Sequence, residues 1–418
     1  MRIVVVGGMP PNPEGEAHYA GRVYRALAEQ MKNVIIVALA HIQPNIPTSE
    51  SPMPNYTIYR VTYGYHRLKR HLAPLYIWHA LQSFRPEIVH FQAPHKNLYG
   101  GIMGEPLLYL FRWLCRCGIP TIVTVHSLWL SEDFIEMGIE HGLHPCTILA
   151  LKKLYRYYFK QLLKVSSQIN VLVSGDENPV ISRFQQEWGL EQFPIYAEAH
   201  PCELFNLHAS DTVVAKTAIG LDSKRLVFAF GFMRPDKGFH YLMEAIAPLI
   251  AYDPDLALVI AGSPGSRLGK LYIEQLKNLY IKLGEPLQIR LEFGYLPDER
   301  LHLYLRACDV VVVPYTRAMG ASGPMHHALS YGKPVIATAV GQNIGLAKVC
   351  HLVPPRDPVA LRNALRELLY EPGYWEYYHQ QAIQYAANHT WYHLAQRYYQ
   401  DYERLTQKGK NINESADD

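Results

Sequence analysis

Apolar residues along the chain alternate between two spacings. Short runs rich in β-branched residues are each followed by a loop of Gly, Pro or polar residues, and then by a longer stretch with helical spacing. The runs predicted as strands are 2–6, 33–38, 87–91, 120–125, 168–173, 194–198, 226–231, 256–261, 287–293, 309–313 and 334–338. Strands that alternate with helices form parallel sheets covered on both faces. We therefore predict an α/β fold of doubly wound parallel sheets.

The predicted strands are too many for one sheet, since open twisted sheets rarely exceed about ten strands. The stretch 201–224 is polar and poor in strands, which places a domain junction there. We predict an N-terminal domain over 1–205, a C-terminal domain over 206–385, a terminal helix over 386–407 and a polar tail over 408–418.

Composition and charge exclude several classes of protein. The 418 residues are 49% hydrophobic, enough for proper cores, and no apolar run reaches the length of about 18 residues that spans a bilayer. The net charge of +3 argues against a nucleic-acid partner. Six cysteines without C-x-x-C spacing are interpreted as reduced thiols, which predicts a cytoplasmic protein.

Two cations follow the predicted strand 226–231. Arg234 and Lys237 lie just before a predicted helix, where the helix dipole disfavours cations and favours anions. Their pairing is explained if an anion binds between them, because a guanidinium can grip two phosphate oxygens and an ammonium acts as a point charge. The alternative is a turn with solvated charges, in which Asp236 caps the helix.

A second loop follows the predicted strand 309–313. Ser322 is a candidate helix N-cap, Gly323 allows close approach to the backbone, and Pro324 is tolerated in a first helical turn, which together suit a phosphate on free amides. No acid lies between Asp309 and Asp357. The cations of that segment are Arg317, Lys333, Lys348 and Arg356. The alternative is an ordinary strand–helix unit whose charges face water.

Other candidates are weaker. His126 follows the predicted strand 120–125, where a histidine is either structural or catalytic. The loop after the first strand has neither the G-x-G-x-x-G nor the G-K-[ST] pattern, so nicotinamide chemistry and ATP hydrolysis lose support. Asp253 and Asp255 are interpreted as turn residues. His141, His144 and Cys146 have no fourth ligand at a suitable spacing, so we predict no metal site.

A basic amphipathic stretch runs from Leu149 to Lys164. It contains five cations and no acid, interleaved with apolar residues: Lys152, Lys153, Arg156, Lys160 and Lys164. Such a helix is typical of peripheral contact with a membrane, and its apolar stripe is equally what a helix packed on a sheet needs. Both interpretations stay open at this point.

An ordered series of motifs resembles the retaining glycosyltransferases of family four, which have the GT-B fold. The motifs are Gly231-x-x-Arg234-x-Asp236-Lys237-Gly238, Leu258-Val259-Ile260-Ala261-Gly262, Gly294-Tyr295-Leu296-Pro297, Ala307-Cys308-Asp309-Val310, and Ser322-Gly323 through Ala328-Leu329-Ser330-Tyr331-Gly332-Lys333-Pro334 to Thr338. The resemblance covers essentially the whole chain, strongly over 226–345, and Thr124-x-His126 is the best match before that. Trp391 fits the family's closing segment, which returns to the first domain.

The resemblance implies two Rossmann-like domains facing across a cleft, the first binding the acceptor and the second a nucleotide-sugar. It implies catalytic roles for His126, which would meet the donor sugar, and for Arg234 and Lys237, which would hold the diphosphate. The donor-binding residues that it implies are Gly15, Glu16, Gly262, Gly294, Tyr295, Leu296, Ala321, Ser322, Gly323, Pro324, Met325 and His327. In the family's mechanism the departing diphosphate takes the proton, so neither a cofactor nor a metal is expected.

Three departures from the family pattern matter. The two glutamates that many members carry in the second loop are replaced by Met319 and His327, which affects the expected ribose contact. The usual glycine pair of the first loop appears as Gly15-Glu16. The common Asn-Gly-x-Asp before the second domain is replaced by the sequence that begins at His200.

The resulting hypothesis is a metal-independent, retaining, hexosyltransferase-type enzyme. It would use a UDP-, GDP- or ADP-sugar and a sugar or lipid-linked hydroxyl acceptor in the cytoplasm, with a peripheral position at the inner membrane face as a variant, and its oligomeric state is left open. The rivals are a GT-B sugar-nucleotide epimerase or hydrolase, and a non-catalytic nucleotide-sugar-binding protein.

Overall fold

The computed structural model describes residues 1–12, 14–92, 97–205, 209–222 and 224–414, which form two compact units. Unit 1 comprises Met1–Val173, Pro179–Ala199 and the segment from Trp391 onward, and unit 2 comprises Ser174–Asn178 and His200–Thr390. The helices are α1 (Gly15–Gln30), α2 (Ala73–Phe84), α3 (Leu107–Arg116), α4 (Ser131–Glu140), α5 (Pro145–Val165), α6 (Val180–Trp188), α7 (Ala209–Ala218), α8 (Phe239–Tyr252), α9 (Arg267–Lys282), α10 (Asp298–Ala307), α11 (Gly323–Ser330), α12 (Pro358–Tyr370), α13 (Tyr374–Asn388) and α14 (Trp391–Glu414).

Unit 1 is built on an eight-stranded sheet. Its strands are β1 (Arg2–Val6), β2 (Ile35–His41), β3 (Ser49–Met53), β4 (Tyr56–Thr62), β5 (Ile88–Gln92), β6 (Thr121–Val125), β7 (Gln168–Val173) and β8 (Tyr196–Ala199). They lie in the order β3-β4-β2-β1-β5-β6-β7-β8, and all neighbours are parallel except the β3–β4 pair. In the centre, Val4 pairs with Val37 on one side and with Val89 on the other.

Unit 2 is built on a six-stranded parallel sheet. Its strands are β9 (Arg225–Phe230), β10 (Leu256–Gly262), β11 (Ile289–Phe293), β12 (Val310–Val313), β13 (Val335–Thr338) and β14 (His351–Val353), in the order β11-β10-β9-β12-β13-β14. Along β9, Val227 and Ala229 pack in one core cluster with α8, while Phe228 and Phe230 pack in another with α11. Both faces of the sheet are therefore covered, as a parallel sheet requires.

The predicted fold class is confirmed, since both units are parallel-sheet α/β domains. The prediction omitted β3, β4 and β14. β4 alternates between buried and partly exposed residues and carries polar side chains, and β14 has three residues, so neither presents the continuous apolar run of the central strands.

The observed division of the chain differs in detail from the predicted ranges. The long segment of unit 2 begins at His200 rather than after residue 205. The chain returns to unit 1 at Trp391 rather than at 386, because α13 continues to Asn388 in unit 2. α14 extends past the predicted end at 407 to Glu414, so the first part of the predicted tail is helical. Residues 415–418 of that tail lie outside the described residues. The acceptor-binding and donor-binding roles of the two domains stay predictions.

Candidate functional site

Arg234 is fixed by a neighbouring carboxylate in the turn between β9 and α8. Its Nε donates to Asp236 Oδ1 at 2.9 Å, and its Nη2 donates to Asp236 Oδ2 at 2.5 Å. The Asp236 carboxylate is buried, which by itself raises its pKa, but the hydrogen bonds and charge of Arg234 bring that pKa below its usual value. α8 begins after Gly238 without a side-chain cap. Asp236 therefore orients Arg234, and the alternative in which it caps the helix is not what the structure shows.

Lys237 links this turn to the second predicted loop. Its Nζ lies 3.6 Å from the centre of the Tyr315 ring, and the Thr316 amide donates to the Asp236 carbonyl at 2.8 Å. Gly238 has φ +65°, and a Cβ there would lie 1.9 Å from the Pro314 carbonyl oxygen, so this close approach requires glycine. The structure thus brings together the two loops that the sequence singled out separately, because β9 and β12 are neighbours in the sheet.

The second loop ends at the N-terminus of α11. The predicted N-cap is confirmed, since Ser322 Oγ accepts from the Met325 amide at 3.4 Å and donates to the Tyr315 hydroxyl at 3.3 Å. A Cβ placed on Gly323 would meet no heavy atom within 4 Å. The start of α11 is therefore open on the side of Gly323 where that Cβ would lie, and an anion at a helix N-terminus needs such space.

Glycines also shape the carboxyl ends of β9, β10 and β11. Gly262 has φ +150°, and a Cβ there would lie 1.8 Å from the Gly231 carbonyl oxygen. The Gly294 amide donates to the Gly262 carbonyl at 2.9 Å, which ties the next strand end to the same edge. Beyond it, Tyr295 is 78% exposed, whereas Leu296 packs on the core. Of this segment, the backbone around Gly294 and the Tyr295 ring are accessible to a ligand.

Not every predicted cation lies at this site. Lys333 is buried and its Nζ donates to the Arg306 carbonyl at 2.9 Å, and Lys348 is paired with Glu177 at 3.2 Å. These two residues of the acid-free segment are structural or surface residues. His327 remains on α11 with its ring 6.4 Å from that of Phe230, whereas the neighbouring His326 is buried, which lowers its pKa to about 4.

His126 of unit 1 lies at the carboxyl end of β6, as predicted, and is 7% exposed. Its Nε2 donates to Gln92 Oε1 at 2.7 Å, and its ring contacts Tyr19 edge-on at a centroid distance of 4.8 Å. Gln92 Nε2 in turn donates to the Tyr24 hydroxyl at 2.8 Å, so the amide presents its oxygen to the histidine. Gly15 and Glu16 begin α1 in the same unit, and a Cβ on Gly15 would meet nothing within 4 Å.

A buried carboxylate network underlies this part of unit 1. Glu198 in β8 is fully buried and accepts hydrogen bonds from the hydroxyls of Tyr19 and Tyr398, the latter at 2.8 Å, and from Asn170 Nδ2 at 3.1 Å. Burial raises the pKa of Glu198 despite these donors. Burial also lowers the pKa of His90, to about 3, with a smaller contribution from His126. Burial therefore favours the neutral forms of both Glu198 and His90.

Sequence reasoning missed Asp236 as the anchor of Arg234, and also Tyr315, Gln92 and Glu198. The first three lie at or just beyond carboxyl ends of strands, which is a usable signal in a doubly wound sheet. Glu198 gave no signal, because an acid in a short strand at a domain end is ordinarily exposed.

Among the described residues no three His, Cys, Asp or Glu side chains are grouped as a metal ion would need. Asp253 Oδ1 accepts from the Asp255 amide at 2.9 Å, which is the predicted turn chemistry. His144 accepts from the Cys146 amide at 3.3 Å and caps α5. Metal independence stays a prediction.

Comparison with known proteins gives matches over both units. Residues 223–371 match the sequence model of the family described as glycosyl transferases group 1. D-inositol 3-phosphate glycosyltransferase of Corynebacterium diphtheriae is 26% identical over 289 residues, which are 64% of this chain and 66% of that protein. The chain thus spans just under two thirds of the length of this curated relative.

Solved structures resemble nearly the full chain in fold. Sucrose-phosphate synthase of Thermosynechococcus elongatus has a TM-score of 0.74 and 18% identity, covering 98% of this chain and 100% of its own. Anabaena HepE in complex with UDP and glucose has a TM-score of 0.65 and 15% identity, and the match covers 96% of this chain and 99% of the HepE chain. Residues 223–371 therefore match the glycosyl transferases group 1 model, and the chain as a whole shares the fold of these solved structures.

Proposed function

We propose that this protein is a retaining glycosyltransferase that moves a hexosyl group from a nucleoside-diphosphate sugar to a hydroxyl of a sugar or lipid-linked acceptor. The observation that carries the proposal is the cationic edge of unit 2. There Arg234 is held by Asp236, and Lys237 is held by the Tyr315 ring beside the open N-terminus of α11. Unit 2 is the donor-binding domain on this proposal, and unit 1 the acceptor-binding domain.

The chemistry of the leaving group explains this arrangement. Departure of a nucleoside diphosphate develops negative charge on its phosphate oxygens. Cations and amide dipoles that are already positioned stabilise that charge without reorganisation. Arg234 can take two oxygens at once and Lys237 one, while the Gly323 amide at the start of α11 would donate to a third. The released diphosphate is itself a base for the acceptor proton, so neither a carboxylate base nor a metal is needed.

The other donor-site and sugar-site residues follow from position. The backbone at Gly262, Gly294 and Tyr295 would lie near the base, Ala321 to Met325 near the phosphates, and His327 near the ribose in place of an acid. In unit 1, His126 would meet the transferred sugar, with Gly15 and Glu16 beside it.

Relatives suggest the first ligands to test. UDP and UDP-glucose come first among the three nucleotide classes because HepE was solved with UDP and glucose. Inositol phosphates come first among acceptors because the curated relative is named for D-inositol 3-phosphate. The free cysteines fit a cytoplasmic enzyme in glycan or glycolipid assembly.

The deciding experiment measures donor turnover with and without acceptor. UDP, GDP and ADP are first screened by the rise in melting temperature, because a ligand that binds only the folded state stabilises it by mass action. The sugar derivative of the best nucleotide is then assayed for nucleotide release. Release that depends on an acceptor supports the proposal. Release without an acceptor favours the epimerase or hydrolase, and tight binding without release favours the binding protein.

Substitution of the two cations tests the phosphate assignment. Arg234→Ala and Lys237→Ala should each lower kcat about 100-fold to 1,000-fold, the loss typical of removing one preorganised donor. Arg225→Ala is the matched control. Arg225 lies at the other end of the same strand and is ion-paired with Asp253 at 2.7 Å, so turnover should stay within about twofold of the wild type. Unchanged kcat in both cation variants would refute the proposal that Arg234 and Lys237 bind the phosphates.

A further inference from the structure

Exposed apolar side chains of unit 1 are concentrated on adjacent elements around α2 and α3. We call this set the apolar face. Its members are Leu68 and Leu72 in the turn before α2, Leu75 in the first turn of α2, Ile102 in the loop before α3, and Tyr109 and Trp113 on α3. Leu68 and Tyr109 are 74% and 73% exposed, which is unusual for large apolar residues in such numbers on one side of a domain.

Contacts show that these elements adjoin one another. The Trp78 ring of α2 lies 4.8 Å from the Trp113 ring of α3. His71, in the turn before α2, accepts from the Gly101 amide at 3.3 Å, which places the loop of Ile102 beside that turn. The exposed residues on the two helices and the loop thus belong to one contiguous region.

The surroundings of the apolar face are cationic. No Asp or Glu occurs in residues 51–86 or 141–175, and Glu105 is the only acid in residues 88–131. The Glu105 carboxylate accepts from the amides of Ile102 and Met103 at 2.8 and 3.0 Å, so it is engaged within its own loop. Exposed or partly exposed cations around the face are Arg67, Lys69, Arg70, Arg112, Arg116, Lys152, Lys153 and Lys160.

The stretch from Leu149 to Lys164 contributes mainly charge, although Leu149 and Tyr157 are exposed. Its apolar stripe, which includes Tyr155, Tyr158 and Phe159, is buried in the core of unit 1. α5 lies beside α3, since Arg112 Nη2 donates to Gln161 Oε1 at 3.1 Å. The cations of α5 therefore flank the apolar face, while the residues able to enter a lipid layer lie on the neighbouring elements.

We propose that the apolar face docks unit 1 on an anionic lipid surface. The leucines and Ile102 would enter the boundary between headgroups and acyl chains, and Trp113 and Tyr109 would lie at headgroup level, where such rings are favoured. The surrounding Lys and Arg side chains would bind anionic headgroups. A second copy of the chain is disfavoured as the occupant, because a two-fold contact would bring the same cations against each other. No helix among the described residues is long and apolar enough to cross a bilayer.

Vesicle flotation with the full chain tests this inference. Vesicles of phosphatidylcholine alone are compared with vesicles in which about a third of the lipid is anionic phosphatidylglycerol. We expect the wild type to bind the anionic vesicles at least about tenfold more strongly, with binding that weakens as salt is raised. Absence of binding to both vesicles, or equal binding to both, would overturn the proposal.

Two variants separate the apolar and the electrostatic contributions. Leu72→Glu with Leu75→Glu should reduce binding to anionic vesicles about tenfold or more, because it removes apolar area and adds charge. Arg67→Ala with Arg116→Ala should mainly reduce the dependence on salt. Leu287→Glu is the matched control, since this leucine belongs to unit 2, is no member of the apolar face and is 91% exposed, and the binding of this variant should equal that of the wild type.

Three readouts keep the outcomes distinct. The melting temperature and its rise with UDP should be the same in all variants, which shows that the substitutions change neither folding nor nucleotide binding. Vesicle binding is measured without turnover, so a failure of the proposed enzymatic function does not affect this test. If Leu72→Glu with Leu75→Glu binds vesicles like the wild type, the assignment of the face is wrong. If the wild type forms dimers that this variant abolishes while neither binds vesicles, the occupant is a second copy and the lipid proposal fails.

Discussion

Gln92 holds His126 by one hydrogen bond of 2.7 Å, and its own bond to Tyr24 fixes which amide atom faces the histidine. Gln92→Leu keeps the shape of the side chain but removes that acceptor. If His126 acts on the transferred sugar, kcat should fall about tenfold, the value of one lost hydrogen bond. The measurement is a double-mutant cycle with His126→Ala, in which Gln92→Leu should have no further effect. Equal losses in both backgrounds would show that Gln92 does not act through His126.

Glu198 makes stability depend on pH. Burial raises the pKa of its carboxyl above the unfolded value, so the folded state binds the proton more tightly, and stability falls as pH rises from the ordinary glutamate range through the raised pKa. Glu198→Gln removes this effect. The melting temperature of the variant minus that of the wild type should therefore become more positive from pH 5 to pH 8, as measured by thermal unfolding.

Glu292 provides the control with the opposite sign. Partial burial raises the pKa of its carboxyl, but the hydrogen bonds from Arg300 at 2.6 and 3.0 Å outweigh this and lower it. Its stabilisation is present above the unfolded pKa and is lost as pH falls through the folded value. Glu292→Gln should thus be destabilising at pH 8 and converge on the wild type in acid. The same trend in both variants would contradict the assignment for Glu198.

At the scale of elements, the N-terminus of α11 separates binding from stability. A Cβ on Gly323 would meet nothing within 4 Å, so Gly323→Val should leave the melting temperature within about 3 °C of the wild type. The added methyl groups would occupy the space where a phosphate approaches the amides. Nucleotide affinity, measured by titration calorimetry, should therefore fall about tenfold or more.

Ser322→Ala gives the complementary result. It removes the cap on the Met325 amide and should cost about 1 kcal/mol of stability, since the helix loses one satisfied donor. The backbone path of the loop stays the same, so nucleotide affinity should fall much less than in Gly323→Val. The prediction fails if the two variants lose the same nucleotide affinity and the same stability. The loss of affinity would then follow from the loss of stability, and the phosphate would not bind at the start of α11.

Prediction of the elements succeeded where the signal was local. The central strands β1, β9, β10 and β12 are almost continuous apolar runs, and the helix capped by Ser322 has its cap, glycine and proline in sequence. β3 and β4 were missed because an antiparallel hairpin at a sheet edge is stabilised by pairing rather than by full burial. Its polar residues obscured the period-two pattern.

At the scale of the whole molecule, α14 completes unit 1 from the far end of the chain. Tyr398 and Tyr402 are fully buried, and the Tyr402 hydroxyl lies 2.6 Å from His90 Nδ1. A chain that ends at residue 390 loses these side chains and exposes Tyr19 and Glu198. Each large buried residue contributes about 3–5 kcal/mol, so the melting temperature should fall by about 10 °C or more, or the protein should aggregate.

A chain that ends at residue 407 is the control for that truncation. It keeps Trp391, Tyr398 and Tyr402, and its circular dichroism and melting temperature should match those of the full chain. Native-like unfolding of the chain that ends at 390 would show that unit 1 folds without α14.

The sequence by itself determined the α/β class, the places where strands end, and the two loops that contain Arg234 and Ser322. These features depend on runs of neighbouring residues, because burial of a parallel strand and the chemistry of a turn are local properties. Only the tertiary structure decided that Lys237 meets Tyr315, that Gln92 meets His126, and that Glu198 is buried under α14. Those contacts depend on strand order, in which β9 lies beside β12 although two strands intervene along the chain. Strand order is set by the packing of the whole domain, and no short segment of sequence records it.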